Sequence, residues 1–295
     1  MLSVERQVES GRLVCPRTRG VLVFKDDQLT TLDGQYSYPL VKGVPILFAK
    51  PEVVFDYLAS HSGSMVAEYG RAKPRPLQAA YSKIEGWFGD MRTPESEAAF
   101  RSTIDDLPPD ALCVSVGGGP TRAHPKLINL NIGAFPNVEV VADAYALPYA
   151  DDAVDAFHCE AVLEHLEHPE LAVSEMYRAL RPGCAVFAAT PFLQPFHGYP
   201  NHFQNFTLTG HRRLFEREGF TLISSGACVG PTFALRDLVV NYLREVIPAG
   251  WIGRAVSRLL ALLTLPSLWI DLFANRRPLA HQLSSTTFVV ARKPA

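Results

Sequence analysis

From residue 111 onward, short apolar runs alternate with stretches whose apolar positions recur every three or four residues. This alternation is typical of an α/β fold, in which helices pack on a mostly parallel sheet. The helical pattern is clearest over residues 169–180, and Arg181-Pro182-Gly183 then ends the helix. The apolar runs predict seven strands, at residues 112–116, 127–132, 138–141, 154–158, 185–189, 222–228 and 287–291.

Two regions precede this pattern, and a third interrupts it. Residues 1–50 contain short apolar runs separated by turn residues, which predict a small β segment. Residues 51–110 are polar and punctuated by prolines, and we interpret them as a helical linker. The main domain is then residues 111–295, and within it residues 232–283 are expected to form a helical lid or insertion before the last strand.

Composition narrows the class of protein. The chain has 28 Lys and Arg against 30 Asp and Glu, a net charge of −2, and 47% hydrophobic residues. That supply of apolar residues excludes wholesale disorder, and the balanced charge argues against a nucleic-acid partner. Five widely spaced cysteines do not form a disulfide framework, and the N-terminus lacks an apolar run of signal-peptide length. We therefore expect a cytoplasmic protein.

The most apolar tract is residues 251–273. Its longest stretch without charge, residues 259–270, is broken by Pro266 and is shorter than the roughly 20 residues that a bilayer crossing needs. We expect helices that cover the core or a substrate pocket. The alternative is an interfacial helix, which would give peripheral membrane contact through residues 251–273.

A glycine cluster, Val116-Gly117-Gly118-Gly119-Pro120, follows the first strand of the main domain. Residues without a Cβ allow the backbone to approach a ligand closely. A dinucleotide fingerprint would need a further glycine where the next helix opens, and residues 121–124 supply none, so NAD binding is disfavoured. The chain also lacks a Gly-x-Ser-x-Gly elbow and a Gly-x-x-x-x-Gly-Lys-Ser/Thr loop, which argues against a serine hydrolase and a nucleoside triphosphatase.

Further motifs follow the glycine cluster in a fixed order. After VSVGGGP come LINLNIG, ADAYALP, AVLEHL, EMYRALRPG and AVFAATPF, all within residues 112–192. In this order they resemble the class I S-adenosylmethionine-dependent methyltransferases, in particular the small-molecule, type 11-like branch. The resemblance implies a Rossmann-like, doubly wound, seven-stranded sheet, S-adenosyl-L-methionine as the cofactor, and methyl transfer as the reaction.

The resemblance also implies a set of cofactor-binding residues at the carboxyl ends of the strands. The glycine loop is expected under the methionine part of the cofactor, and the residues after the third predicted strand beside the adenine. The residues implied are Gly117, Gly118, Gly119, Asn131, Asp143, Ala144 and Glu160.

Three positions depart from the family's pattern. Ser115 and Asn131 stand where the family usually has acids, and Cys184 replaces the second glycine after Arg181-Pro182. The acid replaced by Asn131 is the one expected to hold both ribose hydroxyls. An amide can donate and accept, but it lacks the paired carboxylate oxygens of a charge-assisted contact, so we expect weaker cofactor binding or none.

The N-terminal segment carries a second resemblance. Cys15-Pro16 and the string YPLVKGVPILF resemble a Trm112-like zinc ribbon, in which two cysteine pairs hold the ion. Only Cys15 is present, and Thr18 stands where its partner would be. We therefore expect a degenerate segment without zinc in residues 1–50.

Transfer of a methyl group to a hydroxyl requires a base, and histidine suits that role near neutral pH. The segment after the fifth predicted strand supplies His197, Tyr199, His202 and Asn205. We expect His197 or His202 to be the base, with His197 favoured and His165 next. The alternative is that these residues only hold the loop together. Glu160 or Glu164 could orient such a histidine. The remaining histidines are not spaced as metal ligands, and no metal is expected.

The aromatic and amide residues of the same segment suggest the acceptor. Aromatic faces beside amides suit sugars and ring systems, and the apolar insertion would suit a greasy substrate. We expect O-methylation of a hydroxylated small molecule, a glycan or a lipid-linked acceptor, as in a biosynthetic reaction. One rival is a catalytically inactive scaffold or partner protein, which Ser115 and Asn131 motivate. A protein or nucleic-acid methyltransferase is a lesser alternative.

Overall fold

The computed structural model describes residues 2–50, 92–197, 201–247 and 250–295. Its strands are β1 Leu22–Lys25, β2 Gln28–Thr31, β3 Ser37–Val41, β4 Val44–Leu47, β5 Cys113–Val116, β6 Leu127–Asn131, β7 Val140–Ala142, β8 Val154–Glu160, β9 Leu180–Pro191, β10 Thr221–Val229 and β11 Thr286–Arg292. Its helices are α1 Val4–Glu9, α2 Pro94–Ser102, α3 Pro169–Ala179, α4 Leu208–Arg217, α5 Pro231–Val246, α6 Trp251–Leu263 and α7 Asp271–Ala274. Short 3₁₀ turns lie at Leu163–His165, Leu265–Ile270 and Ala280–Gln282.

The strands of the main domain form one mixed sheet in the order β7-β6-β5-β8-β9-β11-β10. β5 to β9 pair in parallel, whereas β11 runs antiparallel between β9 and β10. β5 and β8 are buried almost throughout, because strands at the centre of a sheet covered on both faces expose neither side. The fold is thus the α/β fold that the alternating pattern predicts, and it is the doubly wound, Rossmann-like sheet that the resemblance implies.

Together with the seven strands of the main domain, the N-terminal segment forms one sheet of eleven strands in the described part of the chain. β1 to β4 form an antiparallel meander, and β4 then pairs in parallel with β7 through Ile46 opposite Val141. Leu13 and Leu29 are fully buried in the same hydrophobic cluster as Phe157. Residues 1–50 therefore share the main core and do not form a core of their own.

Charged contacts reinforce the attachment of this segment. Asp155 at the start of β8 accepts bonds from Arg12 at 2.9 Å, from Arg181 at 2.8 Å and from the backbone N–H of Leu112 at 2.8 Å. Cys15, the residue expected from a degenerate ribbon, is buried with its Sγ 3.1 Å from the hydroxyl of Tyr38. The segment is thus held to the sheet by packing and side-chain bonds.

The last part of the expected linker, residues 51–110, packs against the main domain. Residues 51–91 lie outside the described part of the chain, but α2 packs on the sheet, where Phe100 and Ile104 join a buried cluster with Phe187. The apolar face of α2, within the expected linker, thus packs on the sheet and shares its core.

The insertion leaves and rejoins the sheet at one edge. β10 runs parallel to β9, so α5 begins at the carboxyl edge, and Thr286 at the start of β11 lies opposite Pro191 at the end of β9. Asp271 of α7 accepts from the N–H groups of Thr232 and Phe233 and so caps α5. Among the described helices, none combines the length and the apolar character needed to cross a membrane.

Candidate active site

The glycine loop lies between β5 and the carboxyl end of β6. Gly117 has φ +74°, and a Cβ there would collide with Cγ2 of Val162. A Cβ on Gly118 would lie 2.6 Å from the side chain of Asn129, whereas one on Gly119 would meet nothing within 4 Å. Packing inside the protein therefore requires the first two glycines, and only Gly119 offers an open backbone surface.

Two asparagines brace this loop. The buried Asn129 donates to the carbonyls of Gly119 at 3.0 Å and Thr121 at 3.3 Å. Asn131 donates to the carbonyl of Gly118 at 3.2 Å, and its Oδ1 accepts from the N–H of Gly133 at 3.0 Å. Sequence reasoning missed Asn129, because its position inside a strand gives no indication of the loop above it. Asn131, the last residue of β6, therefore stabilises the loop at the carboxyl edge of the sheet.

Asp143 and Ala144 lie just after β7, at the same carboxyl edge as the glycine loop. One oxygen of Asp143 accepts from the N–H of Tyr145 at 2.9 Å and so holds the turn. Asp143 remains half-buried. A carboxylate has lone pairs on both oxygens, so the turn bond leaves the other oxygen able to accept from an adenine amino group.

Glu160 is the last residue of β8, and other side chains of the protein already contact its carboxylate. Its carboxylate is ion-paired with Arg92 and lies 3.3 Å from Nε2 of His158, whose Nδ1 lies 3.0 Å from Oγ of Ser115. Burial acts to raise the pKa of Glu160, but the bond from His158 and the charge of Arg92 together hold that pKa below its ordinary value. Ser115, which replaces an acid, is thus part of a buried polar chain that the sequence did not reveal.

Glu164 is the most unusual polar residue of the edge. It lies in the 3₁₀ turn Leu163–His165 and is 0% exposed. Its Oε2 accepts from Oγ1 of Thr190 at 3.2 Å, but no described residue donates a hydrogen bond to Oε1. Burial raises the pKa of Glu164 above its ordinary value. A buried oxygen without a donor costs stability, which makes Glu164 a candidate functional residue.

Two predicted histidines converge on this oxygen. Nε2 of His165 and Nε2 of His197 each lie 3.7 Å from Oε1 of Glu164. The Nδ1 of His165 contacts the carbonyl of Asn201, and that of His197 lies 3.0 Å from the carbonyl of Pro195. Because a carbonyl can only accept, each Nδ1 carries the proton, and the lone pair of the neutral ring lies on Nε2.

The third predicted histidine, His202, has a different environment. Its Nδ1 accepts from the N–H of His197 at 3.2 Å, and its Nε2 donates to Oδ1 of Asn205 at 2.7 Å. Its one lone pair is therefore occupied, and its ring packs on His197 with centroids 4.3 Å apart. This geometry makes His202 a residue that positions His197. Tyr199 lies outside the described residues.

Comparison with known proteins finds one family in the main domain. Residues 123–188 match the family described as methyltransferase domain. An uncharacterized methyltransferase of Mycolicibacterium paratuberculosis is 29% identical over 152 residues, which cover 51% of this chain and 55% of that protein. One of Mycobacterium tuberculosis is 40% identical over 118 residues, which cover 33% of this chain and 46% of that protein. The matched residues thus span about half of each relative.

Solved structures of methyltransferases are also similar. Haemonchus contortus phosphoethanolamine N-methyltransferase 2, in complex with S-adenosyl-L-methionine, shares 11% identity and a TM-score of 0.46, over 72% of this chain and 56% of that one. A putative sarcosine dimethylglycine methyltransferase from Galdieria sulphuraria shares 15% identity and a TM-score of 0.45, over 74% of this chain and 88% of that one.

Proposed function

Because this chain carries a methyltransferase domain of the S-adenosylmethionine-dependent class, we propose that it O-methylates a hydroxylated small molecule, glycan or lipid-linked acceptor. The observation that carries this proposal is the convergence of two Nε2 lone pairs on the buried carboxylate of Glu164 at the carboxyl edge of the sheet. Ligands of doubly wound sheets lie outside that edge. A hydroxyl acceptor must lose a proton there, and this cluster can take it.

The residues at the β5–β7 end of this edge fit the cofactor. We assign the open surface at Gly119 to the methionine part, Asp143 and Ala144 to the adenine, and Asn131 to the ribose. Both polar groups of Asn131 already bond backbone, Nδ2 to the carbonyl of Gly118 and Oδ1 to the N–H of Gly133, so its contact to the ribose is weaker than that of an acid. Glu160 borders this region, but its charge is already neutralised by Arg92.

The histidines provide the proton chemistry. S-adenosylmethionine supplies a methyl group already bound to a good leaving group, so no covalent intermediate with the protein is needed. We assign proton removal to Nε2 of His197 or His165, each oriented by its Nδ1–H bond to a backbone carbonyl. The carboxylate of Glu164 stabilises the imidazolium that forms, since a neighbouring negative charge favours the protonated ring.

The acceptor would lie against the aromatic segment after β9. Phe196 is 76% exposed and Phe203 is 48% exposed. Gln194 and Asn205 lie two residues from them in sequence, and Nδ2 of Asn205 donates to the carbonyl of Gln194 at 3.1 Å. Exposed aromatic faces with amides nearby suit a sugar or a ring system.

The insertion supports a lipid-linked acceptor and peripheral membrane contact. Leu263, Trp269, Leu272 and Phe273 are 56 to 72% exposed, and the exposed Arg276-Arg277 pair follows in sequence. Exposed apolar side chains next to cations match the boundary between acyl chains and anionic headgroups. Sedimentation with anionic vesicles tests this: Leu272→Ser/Phe273→Ser should reduce binding, and an equal reduction by Leu32→Ser, at another exposed leucine, would contradict it.

Calorimetric titration with S-adenosylmethionine and S-adenosylhomocysteine tests the cofactor assignment. We expect binding by the unaltered chain and at least tenfold weaker binding by Asp143→Ala. Asp110→Ala is the control, because Asp110 is an exposed carboxylate on the approach to β5. No binding at millimolar cofactor would favour the scaffold alternative, which Ser115 and Asn131 motivate.

Turnover with a panel of hydroxylated acceptors tests the reaction. His197→Ala should lower kcat by about 100-fold or more, the usual contribution of a general base. The control is His168→Ala, which alters an exposed histidine paired with the exposed Glu170. If methyl groups appeared only on amine or carbon acceptors, O-methylation would be wrong, although methyl transfer would stand.

A further inference from the structure

We propose that Glu164, His165 and His197 form a binding site for one divalent transition-metal cation of the zinc class. One potential ligand atom from each residue lies within 4.8 Å of the other two. The three residues are brought together from the turn after β8 and the segment after β9, so their spacing in the sequence gave no indication of the group. Two imidazoles and one carboxylate are a donor set that Zn²⁺ binds well.

The orientation of both rings favours a cation. Histidines that bind metals through Nε2 usually donate Nδ1–H to a carbonyl or carboxylate, which fixes the ring. His165 and His197 both have this arrangement, with the carbonyls of Asn201 and Pro195 as the acceptors. His202 adds a further constraint through the N–H of His197. Both lone pairs therefore face Oε1 of Glu164 before any ligand arrives.

The buried carboxylate is the independent observation. Oε1 of Glu164 has no hydrogen-bond donor among the described residues, although the side chain is 0% exposed. At 3.7 Å from each Nε2, it is too far for a strong hydrogen bond to either ring. Ligand atoms about 2.0–2.1 Å from a tetrahedral Zn²⁺ are about 3.3 Å apart, so small side-chain movements would close this group on an ion.

Three protein ligands leave a fourth position, as in catalytic zinc sites. The role of the ion rests on the proposed function: the acceptor hydroxyl binds at the fourth position, and the ion lowers its pKa. With the ion bound, both Nε2 lone pairs would hold it, so His165 and His197 would act as ligands in place of the base, and the proton of the breaking O–H bond would pass to water. The oxygen forms its bond to the methyl carbon, and the electron pair of the breaking C–S bond stays on sulfur. Binding of the ion itself requires neither cofactor nor acceptor.

Equilibrium dialysis of the full chain against Zn²⁺, and absorption spectra with Co²⁺, test the site directly. We expect one ion per chain and a tetrahedral cobalt spectrum without the thiolate charge-transfer band that the cysteines would give. Glu164→Gln and His197→Ala should each weaken binding at least tenfold. The matched control is His168→Ala/Glu170→Gln, which removes an exposed histidine–glutamate pair and should leave binding unchanged.

Two results would overturn the site: no stoichiometric ion in the unaltered chain at micromolar Zn²⁺, or equal binding by the folded His197→Ala variant. His197 lies in a half-exposed loop, so this variant keeps the test informative even if Glu164→Gln fails to fold. Methyl transfer that persists in a chelator would remove the ion from the reaction and leave the proposed function intact. If the ion bound but no methyl transfer occurred, the metal site would stand and the proposed function would fail.

Discussion

The two halves of the carboxyl edge satisfy their polar groups in opposite ways. At the β5–β7 end, Asn129, Asn131 and Asp143 all bond to neighbouring backbone, and two glycines are needed to avoid collisions within the protein. At the β8–β9 end, Oε1 of Glu164 is buried beside two imidazole lone pairs and has no donor among the described residues. The first half satisfies its polar groups within the protein, whereas in the second half a proton or a cation would neutralise the buried carboxylate.

The largest effect is expected at Gly117. Gly117→Val places a branched side chain at φ +74° and against Val162, so strain and overpacking add. We expect unfolding to need about 3 kcal/mol less free energy, together with loss of cofactor binding. Urea denaturation and cofactor titration measure the two effects. A variant as stable as the unaltered chain would show that the glycine loop is not rigid.

A smaller effect on stability is expected at His211, a histidine of the core that lies outside the candidate site. His211 is wholly buried, with Nδ1 3.1 Å from Oγ1 of Thr287, and burial lowers its pKa to about 3 from 6.5. The unfolded chain therefore binds this proton as pH falls below 6.5, and the folded chain does not, so stability is lost between about 6.5 and 3.

This histidine should contribute about 2 kcal/mol of the stability lost between pH 7.5 and pH 5. His211→Asn, which keeps a polar atom near Thr287, should remove most of that pH dependence in urea unfolding. The exposed His168→Asn is the control and should change nothing. If the dependence survived in His211→Asn, the acid sensitivity would arise elsewhere.

Removing the charge of Glu164 should stabilise the folded chain or leave its stability unchanged, whereas substitutions in the glycine loop should destabilise it. Because burial raises the pKa of Glu164, the folded chain holds its proton more tightly, and stability falls as pH rises above 4.5. Glu164→Gln removes this buried charge and keeps an acceptor for Thr190. We expect it to be at least as stable as the unaltered chain at pH 8 in thermal unfolding, while methyl transfer falls. A marked loss of stability would mean that the carboxylate is satisfied after all.

The smallest change in stability is expected at Gly119. Gly119→Ala adds a Cβ that meets nothing within 4 Å, so the free energy of unfolding should change by less than about 0.5 kcal/mol. The same methyl group intrudes on the surface assigned to the cofactor, and S-adenosylmethionine should bind several-fold more weakly. Urea denaturation measures the change in stability, and calorimetric titration measures the change in affinity for S-adenosylmethionine. If the affinity for S-adenosylmethionine were unchanged, the assignment of the cofactor to the surface at Gly119 would be wrong.

Local pattern was enough to predict the strands and the order of motifs. The predicted runs correspond to β5 to β11. Short apolar runs were a reliable signal because these strands are mostly buried, except the edge strand β10. Joining of β4 to β7 could not be predicted, since Ile46 and Val141 meet only through pairing across nearly a hundred residues. For the same reason α2 was interpreted as linker, although Phe100 packs on the sheet.

For the site, residue types identified candidates but not their states. His165, His197 and His202 were all candidate bases, and only their bonded partners separate two open lone pairs from an occupied one. The grouping of Glu164 with His165 and His197 was equally hidden. The sequence by itself determined the alternating elements, because they follow from short-range periodicity, and the resemblance carried by its motifs implied where the candidate site residues lie. The tertiary structure decided which polar atoms find partners, because burial and hydrogen bonding depend on residues distant in the chain.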